Sequence, residues 1–298
     1  MQNIKKIDIH AHATFFPELA PVRKNGERLI STTELLEFYD KLNIEYGVLQ
    51  PLQSPEGLWT YTTNEGCKLA SDAHPDRFLW FCSVDPRAMS NSPDADLCFL
   101  LEHYKSLGAK GMGELTAHLY TDDPKMDNLF RCCEICEMPV TIHIAPDFET
   151  IYGIVDDLGL PRLEKILKKY PKLKIFGHSQ PFWAEMSADI TAATRNDYPT
   201  GKVTEGRITQ LMRDYENLYC DFSAGSGCNA LMRDPEHAAR FLEEFSDRVL
   251  FGCDLTDPAD TQPFLLDAFL DQMIDDGMLS MENYEKFVRG NAIRVLGL

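Results

Sequence analysis

The sequence predicts an α/β fold, a (β/α)8 TIM barrel that spans residues 1–298 as one domain. Three observations support this prediction. The 298 residues contain eight short runs rich in β-branched and aromatic residues, and helical patterns separate these runs. Strands that alternate with helices favour a parallel sheet, and a barrel of eight such units typically takes about 250 residues. An open doubly wound sheet normally has a glycine-rich phosphate turn after its first strand, and this sequence has none there.

The eight predicted strands are short and are spread over the whole chain. Several of them are almost entirely apolar, as expected for parallel strands that are buried on both faces. They cover residues 5–12, 46–52, 77–85, 109–115, 139–145, 173–179, 218–224 and 248–255.

The predicted helices lie between these strands. The segment "STTELLEFYDKLN" opens with Ser31 and Glu34 at capping-box spacing, followed by leucines at helical spacing. Gly108 indicates the end of the helix that precedes the fourth strand. Further amphipathic patterns precede the fifth, sixth and eighth strands, and two more close the chain.

Composition and charge exclude several classes of function. The formal net charge is −18, and such a surface repels nucleic acid and anionic lipid, which bind clustered Lys and Arg. No stretch has the roughly 20 apolar residues of a membrane span. The N-terminus lacks the apolar segment of a secretory signal. Because the nine cysteines are also irregularly spaced, we expect reduced thiols in a cytoplasmic protein.

Potential metal ligands collect at the ends of the predicted strands, where barrels carry their chemistry. His10 and His12 are two residues apart on the first strand, so they point the same way and can chelate one cation. His143 and Asp254 complete a set of three imidazoles and one carboxylate, which suits Zn²⁺ best, with Mn²⁺ or Fe²⁺ as alternatives. The remaining strand-end residues of this kind are Glu114 and His178.

The order of these motifs is similar to that of a known family. The segments "DIHAH", "TIHIA", "IFGHSQPFW" and "LFGCD", with the closing "GNAIRVLGL", resemble a metal-dependent amidohydrolase of the amidohydrolase-2 type. That branch contains aminocarboxymuconate-semialdehyde decarboxylase and related decarboxylases and lactonases. The resemblance implies a barrel enzyme with one ion rather than two, bound by His10, His12, His143 and Asp254.

The resemblance also implies catalytic roles. His178 would contact the substrate or the water that the metal activates. Asp254 would move a proton between that water and the leaving group. Glu114 stands where some amidohydrolases have a lysine or a glutamate that bridges two metals. Its role stays open among a metal ligand, a substrate-facing carboxylate and a hydrogen-bond acceptor of the barrel.

Two reactions are compatible with such a site. Hydrolysis of an amide, lactone or ester bond in a small, carboxylated molecule is the first choice, because a divalent ion makes water more acidic. Non-oxidative decarboxylation of an aromatic or unsaturated carboxylic acid is the alternative. A non-catalytic metal-binding barrel is a second alternative. A flavin or nicotinamide oxidoreductase is a further rival, since the Gly/Ser-rich segment 223–229 could imitate a phosphate site.

Contacts with the small-molecule substrate are predicted in the loops that follow the strands. Arg23 could hold a substrate carboxylate, Trp183 could form an aromatic wall, and His118 lies in the loop after the fourth strand. Segment 183–205 is interpreted as a lid or an oligomer contact, with Arg195 solvated or at a subunit boundary. A homodimer or a higher homo-oligomer is therefore expected.

Overall fold

Eight parallel strands form a closed ring in the computed structural model, which describes residues 4–298. A ninth, two-residue strand pairs with the fifth outside the ring, and the sequence pattern does not predict it. The strands are β1 Lys6–Ala11, β2 Ile44–Leu49, β3 Phe78–Trp80, β4 Met112–Leu115, β5 Val140–Ala145, β6 Ile154–Val155, β7 Ile175–His178, β8 Leu218–Asp221 and β9 Val249–Leu250.

Two sets of backbone hydrogen bonds close the ring. The strands form two parallel sheets, in the orders β1-β2-β3 and β4-β5-β7-β8-β9. The N–H of Cys82 donates to the carbonyl of Gly111 at 2.9 Å, which joins the end of β3 to β4. At the other seam, the N–H of Ile9 in β1 donates to the carbonyl of Phe251 at 3.0 Å. The predicted TIM barrel is therefore confirmed.

Helices surround the barrel, and the first of them begins as the sequence predicts. The N–H of Glu34 donates to the Ser31 hydroxyl at 3.3 Å, and the N–H of Ser31 donates to the Glu34 carboxylate at 3.0 Å. The helices are α1 Thr32–Leu42, α2 Asn64–Ala73, α3 Leu97–Ser106, α4 Pro124–Ile135, α5 Pro161–Lys169, α6 Gln180–Ala184, α7 Arg207–Asp214, α8 Ala224–Met232, α9 Pro235–Glu244, α10 Gln262–Asp275, α11 Met281–Glu285 and α12 Asn291–Leu296. Within residues 4–298, no helix combines the length and the apolar character needed to cross a bilayer.

The core lies between the strands and the surrounding helices, and a smaller apolar cluster joins the strands to the last helix. In that cluster Ile7 and Ile9 of β1 pack with Phe81, Phe176 and residues of α12. The C-terminal helix thus covers apolar side chains of the barrel strands. The Gly/Ser-rich segment 223–229 forms the N-cap and the first part of α8, which spans Ala224–Met232.

One pair of cysteines departs from the prediction of reduced thiols. Cys98 in α3 and Cys132 in α4 are joined by a disulfide. The two helices pack side by side, and the Cα atoms of the two residues are 4.8 Å apart. This spatial proximity could not be inferred from cysteine spacing along the chain. The other seven cysteines are free and buried, as the sequence predicts.

Candidate metal centre

Three overlapping clusters of potential metal ligands lie at the carboxyl ends of the strands. His10, His12 and Asp254 form the first, and the third joins His10 to His178 and Asp221. Within each cluster the ligand atoms lie within 4.8 Å of one another. β1 ends at Ala11, so the two histidines of the first cluster flank its last residue. Asp254 has a φ of 50°, a left-handed conformation that Asp tolerates better than most residues. Its N–H donates to the carbonyl of His10 at 2.8 Å, which fixes Asp254 beside β1.

Glu114, His143 and His178 form the second cluster, within the same 4.8 Å limit. An oxygen of Glu114 is 2.7 Å from Nδ1 of His143. The same carboxylate reaches the first cluster, at 3.4 Å from Nε2 of His12 and 3.9 Å from Nε2 of His10. The structure therefore groups His143 with Glu114 and His178 rather than directly with the first cluster. The Glu114 carboxylate, a member of the second cluster, connects that cluster to the first.

Hydrogen bonds behind the rings determine which imidazole nitrogens face the first cluster without a proton. Nδ1 of His12 is 2.7 Å from the carbonyl oxygen of Gln50, which can only accept. Nδ1 of His10 is 2.6 Å from a carboxylate oxygen of Asp221. Both Nδ1 atoms therefore carry the hydrogen in the neutral rings, and both Nε2 atoms are left bare.

The resulting set of donors fits a divalent cation. The two bare Nε2 atoms of His10 and His12 are 3.0 Å apart. A carboxylate oxygen of Asp254 lies 3.5 Å from Nε2 of His12 and 3.8 Å from Nε2 of His10. Lone pairs and negative charge that converge in a buried site require a positive charge between them. Imidazole and carboxylate groups in this mixture suit Zn²⁺ or Mn²⁺.

The pKa values of these residues also indicate an excess of negative charge in the site. Burial alone would lower the pKa of His10, but the carboxylates of Asp221 and Asp254 outweigh it and raise this pKa to about 10. Burial would raise the pKa of the Glu114 carboxyl, but His143 and His12 hold it well below its ordinary value. The pKa of Asp254 is lowered against burial by His10 and His178. The site thus favours ionised carboxylates and an added positive charge.

Two residues at the end of β8, Asp221 and Ser223, contact the clusters although the sequence interpretation did not select them. Both are completely buried. Asp221 contacts His10 as described above, and the Ser223 hydroxyl is 3.0 Å from Nδ1 of His178. The signal that could have found Asp221 is its position in "LYCDFSA", at the same edge of the barrel as the other strand-end residues.

A cavity of about 280 Å³ opens beside His12. The loops after β1, β2, β5 and β9 all contribute to its wall, so it lies at the mouth of the barrel. Its lining includes His12, Leu29, Leu52, Trp59, Tyr152 and Asp257, together with Arg23 and Arg28.

Both arginines of the cavity wall already have acidic partners. The Arg23 guanidinium is 3.2 Å from Glu27 and lies 4.3 Å from the centre of the Trp59 ring. Arg28 donates to both carboxylate oxygens of Glu34, at 2.9 and 2.5 Å. Arg28 is the more firmly held of the two cations, and the role of Arg23 as a substrate contact stays a prediction.

The other predicted substrate contacts do not line this cavity. Trp183 is buried and stacks on Phe222, with ring centres 4.2 Å apart. Its ring therefore packs in the core rather than forming a wall of the cavity. His118 stacks on Phe148 of the loop after β5, with ring centres 5.2 Å apart.

Segment 183–205 is attached to the barrel by a buried arginine, so the expectation that Arg195 is solvated or at a subunit boundary is wrong. Arg195 is 1 % exposed. Its Nε is 3.0 Å from a carboxylate oxygen of Glu185, and its Nη1 donates to the carbonyl of Asp156 at 2.6 Å. The buried guanidinium of Arg195 thus lies beside the carboxylate of Glu185, which offsets part of its charge.

A closed barrel with imidazoles and carboxylates beyond the carboxyl ends of its strands defines a class of metal-dependent barrel enzymes. The chain belongs to the amidohydrolase family, since the family model described as Amidohydrolase (Amidohydro_2) matches residues 7–298. The family consists of enzymes, which include hydrolases and decarboxylases. A comparison with proteins of curated function gives no match.

Solved structures with the same fold cover almost the whole chain. A probable 2-pyrone-4,6-dicarboxylic acid hydrolase from Acinetobacter baumannii, with citric acid bound, has 15 % identity and a TM-score of 0.62, covering 99 % of this chain and 100 % of its own. The 5-carboxyvanillate decarboxylase of Sphingomonas paucimobilis has 17 % identity and a TM-score of 0.63, covering 99 % of each chain. A dihydroxybenzoic acid decarboxylase from Polaromonas sp. JS666, with bound manganese and the inhibitor 2-nitroresorcinol, has 17 % identity and a TM-score of 0.60, covering 99 % of this chain and 97 % of its own.

Proposed function

We propose that the protein is a metal-dependent hydrolase that cleaves an amide, lactone or ester bond of a small, carboxylated molecule. The observation that carries this proposal is the approach of the Nε2 atoms of His10 and His12 to 3.0 Å, next to the carboxylate of Asp254. His10, His12, Asp254 and His143 would hold one ion, Zn²⁺ in first place and Mn²⁺ or Fe²⁺ otherwise. Glu114 would act as a further ligand or as the acceptor that orients His143.

The groups that this hydrolysis requires lie around the site. A bound divalent cation supplies Lewis acidity toward a carbonyl group and makes water more acidic. Asp254 accepts the proton of the attacking water and returns it to the leaving group. His178, whose Nε2 is 3.5 Å from Asp254, donates a hydrogen bond to the carbonyl oxygen as negative charge develops on it.

The cavity supports a small substrate with a carboxylate. Its volume of about 280 Å³ is at the lower limit of typical ligand pockets. Leu29, Leu52 and Trp59 give it apolar and aromatic walls. Arg28 presents a guanidinium that Glu34 already orients, and Arg23 adds a second, more exposed cation. A guanidinium binds a carboxylate with two parallel hydrogen bonds.

Non-oxidative decarboxylation is the second candidate function. The observation that favours it is the family relationship, because two of the solved structures with this fold are decarboxylases of aromatic acids. In this reaction the substrate carboxylate would face the ion, and the Nε2–H of His178 would protonate the carbon as CO2 leaves.

The experiment that tests the proposal measures metal content and reaction type together. Protein stripped with a chelator is reloaded with Zn²⁺ or Mn²⁺, and elemental analysis is expected to give one ion per chain. Two ions would place Glu114 between them. Small lactones, amides, and aromatic or unsaturated carboxylates are then screened for acid release and for CO2 release, with Asp254→Asn as the inactive control. CO2 release would select the second candidate.

Two other results would contradict the proposal altogether. Protein that takes up no stoichiometric ion has no metal centre of the proposed kind. A flavin or nicotinamide absorbance spectrum in purified protein would instead favour an oxidoreductase. Stoichiometric metal without turnover on any of these substrates would favour the non-catalytic metal-binding barrel.

A further inference from the structure

Asp221 and Ser223 lie behind two imidazoles that the proposed reaction uses differently. Asp221 Oδ2 is 2.6 Å from Nδ1 of His10 and 3.9 Å from Nδ1 of His178. The Ser223 hydroxyl is 3.0 Å from Nδ1 of His178 and 3.3 Å from Nδ1 of His10. These two buried groups therefore contact both rings on the side away from Asp254.

We propose that Asp221 and Ser223 are positioning residues that give His10 and His178 opposite tautomers. His10 carries its hydrogen on Nδ1 and offers a bare Nε2 to the metal. His178 carries its hydrogen on Nε2 and receives a hydrogen bond from Ser223 at Nδ1, so it acts as a donor toward substrate and is not a metal ligand. This inference rests on the proposed function and specifies the role of His178 within it.

The tautomer of His10 follows from the contacts of Asp221. One oxygen of this carboxylate accepts from the N–H of Ser223 at 3.1 Å, and the other faces Nδ1 of His10 at 2.6 Å. An ionised carboxylate can only accept, so Nδ1 must donate. Gly252 permits this close approach, because a Cβ at that position would lie 3.0 Å from Asp221 Oδ1 and 3.3 Å from the His10 Cβ. A carboxylate that holds a ligand histidine in this way makes Nε2 a stronger ligand.

The tautomer of His178 follows from the acceptor on its other side. Its Nε2 is 3.5 Å from a carboxylate oxygen of Asp254, and a bare lone pair facing that negative charge would be repelled. A hydrogen on Nε2 removes the repulsion and leaves Nδ1 as an acceptor. Asp221 cannot supply a hydrogen to Nδ1, whereas the Ser223 hydroxyl at 3.0 Å can. Ser223 therefore selects the donor form of His178.

The test compares three isosteric variants. Asp221→Asn and Ser223→Ala remove the two positioning groups. The matched control is Asp8→Asn, because Asp8 is an equally buried carboxylate that accepts from the N–H groups of His10 and Cys253, at 3.0 and 2.8 Å, and touches no imidazole nitrogen. Zn²⁺ affinity is measured by competition with a chromogenic chelator. The hydrogen-bearing nitrogen of His178 is identified by NMR of Zn²⁺-loaded protein labelled with ¹⁵N-histidine.

The expected results separate the two roles. Asp221→Asn lowers Zn²⁺ affinity about 10–100-fold, as the loss of such a partner typically does, whereas Asp8→Asn and Ser223→Ala bind Zn²⁺ as the wild type does. His178 shows hydrogen on Nε2 in the wild type and a mixture of tautomers in Ser223→Ala.

Three outcomes would overturn the inference while leaving the proposed function intact, provided that wild-type protein binds one Zn²⁺. They are unchanged affinity in Asp221→Asn, a loss of Zn²⁺ in Ser223→Ala, and a His178 Nε2 that is coordinated to the metal. Wild-type protein that binds no Zn²⁺ would overturn the proposed function and this inference together.

Discussion

At the scale of single residues, the candidate metal centre depends on groups that stand behind the ligands. His12 presents a bare Nε2 because the carbonyl of Gln50 accepts from its Nδ1 at 2.7 Å. A ring that lost this partner could rotate or change tautomer, since a neutral imidazole carries its single hydrogen on either nitrogen. The ligand set is therefore specified by acceptors at the ends of β2 and β8 as well as by the ligands themselves.

Removing a proposed ligand is expected to remove the metal and spare the fold. His10→Ala and Asp254→Asn each delete one donor of the first cluster, so each is expected to lose stoichiometric Zn²⁺ while retaining its circular dichroism spectrum. His103→Ala, an exposed histidine of α3, serves as the control and keeps its metal. Elemental analysis after gel filtration measures the result. Full metal content and full turnover in both ligand variants would refute the assignment.

Removing the proposed donor is expected to separate metal binding from turnover. His178→Ala keeps its Zn²⁺, because His178 is not a proposed ligand, and loses turnover by about 10²–10⁴-fold, the usual contribution of a group that transfers a proton or stabilises the oxyanion. The measurement is kcat on the substrate class found by the screen, with metal content determined on the same sample. Wild-type turnover in this variant would exclude His178 from the catalytic machinery.

At the scale of elements, the loop between β5 and β6 places an aromatic ring over the candidate centre. The Tyr152 ring lies 4.5 Å from the His143 ring, centre to centre, and Tyr152 also lines the cavity. Gly153 next to it has a φ of 128°, and a Cβ there would meet the His143 carbonyl oxygen at 2.5 Å. This glycine permits the close return of the loop over β5.

Substitution of Gly153 is expected to disturb both stability and the site. Gly153→Ala combines an unfavourable φ with a steric clash and should cost about 3 kcal/mol of unfolding free energy, with weaker Zn²⁺ binding as His143 shifts. Gly159→Ala is the matched control: its φ is also positive, at 88°, but a Cβ there meets open space, so only about 1–2 kcal/mol is expected. Denaturant unfolding of both variants measures the difference. Equal costs would show that the contact with His143 is unimportant.

The start of α1 connects a helix cap to the cavity wall. Glu34 caps the helix through Ser31 and also holds Arg28, which lowers the pKa of Glu34 from 4.5 to about 2. Its ionised form therefore stabilises the folded protein above about pH 4.5, and that contribution is lost as the pH falls toward 2. The same carboxylate contributes to stability and to the orientation of a proposed substrate contact.

Glu34→Gln keeps an oxygen that can accept from the Ser31 N–H but loses the charge that pairs with Arg28. It is expected to lower the unfolding free energy by at most about 1 kcal/mol at pH 7, the usual range for a partly exposed ion pair. The deficit relative to wild type should be smaller at pH 3, where the Glu34 carboxyl is mostly protonated in the unfolded chain and still mostly ionised in the folded protein. Glu37→Gln, an exposed change on the same helix, is the control. A deficit that does not change with pH would contradict the role of the ionised carboxylate.

The elements also show what the sequence can and cannot predict. Strands and their polar ends are predictable because buried apolar runs and strand-end histidines leave a local pattern. Asp221 was missed because the predicted strand ran to residue 224, whereas β8 ends at Asp221. The burial of Arg195 depends in part on Asp156, and the packing of Trp183 depends on Phe222. These partners are distant in sequence, so no local pattern predicts the contacts. The same holds for the short strand β6 and for the disulfide between α3 and α4.

At the scale of the whole molecule, the centre lies where the first strand of the barrel meets the segment after the last. The N–H of Cys253 donates to the Asp8 carboxylate at 2.8 Å, across 245 residues of sequence. The N–H of Asp254 donates to the carbonyl of His10 in the same place. The first cluster therefore forms only when the barrel closes. The cytoplasmic location and the homo-oligomeric state stay predictions from the sequence.

A metal held across this seam is expected to stabilise the entire barrel. An ion that binds the folded chain and not the unfolded chain raises the unfolding free energy by RT ln(1 + [L]/Kd), about 2.7 kcal/mol at a free concentration of 100 Kd. Because the proposed ligands come from β1, β5 and the segment after β9, unfolding of any part of the ring breaks the site. Urea unfolding of wild-type protein with Zn²⁺ and with excess chelator should show this difference. The control, His10→Ala, should unfold at the same urea concentration in both conditions. If the unfolding midpoint of the wild type is also unchanged by Zn²⁺, any bound ion lies away from the contact between β1 and the segment after β9.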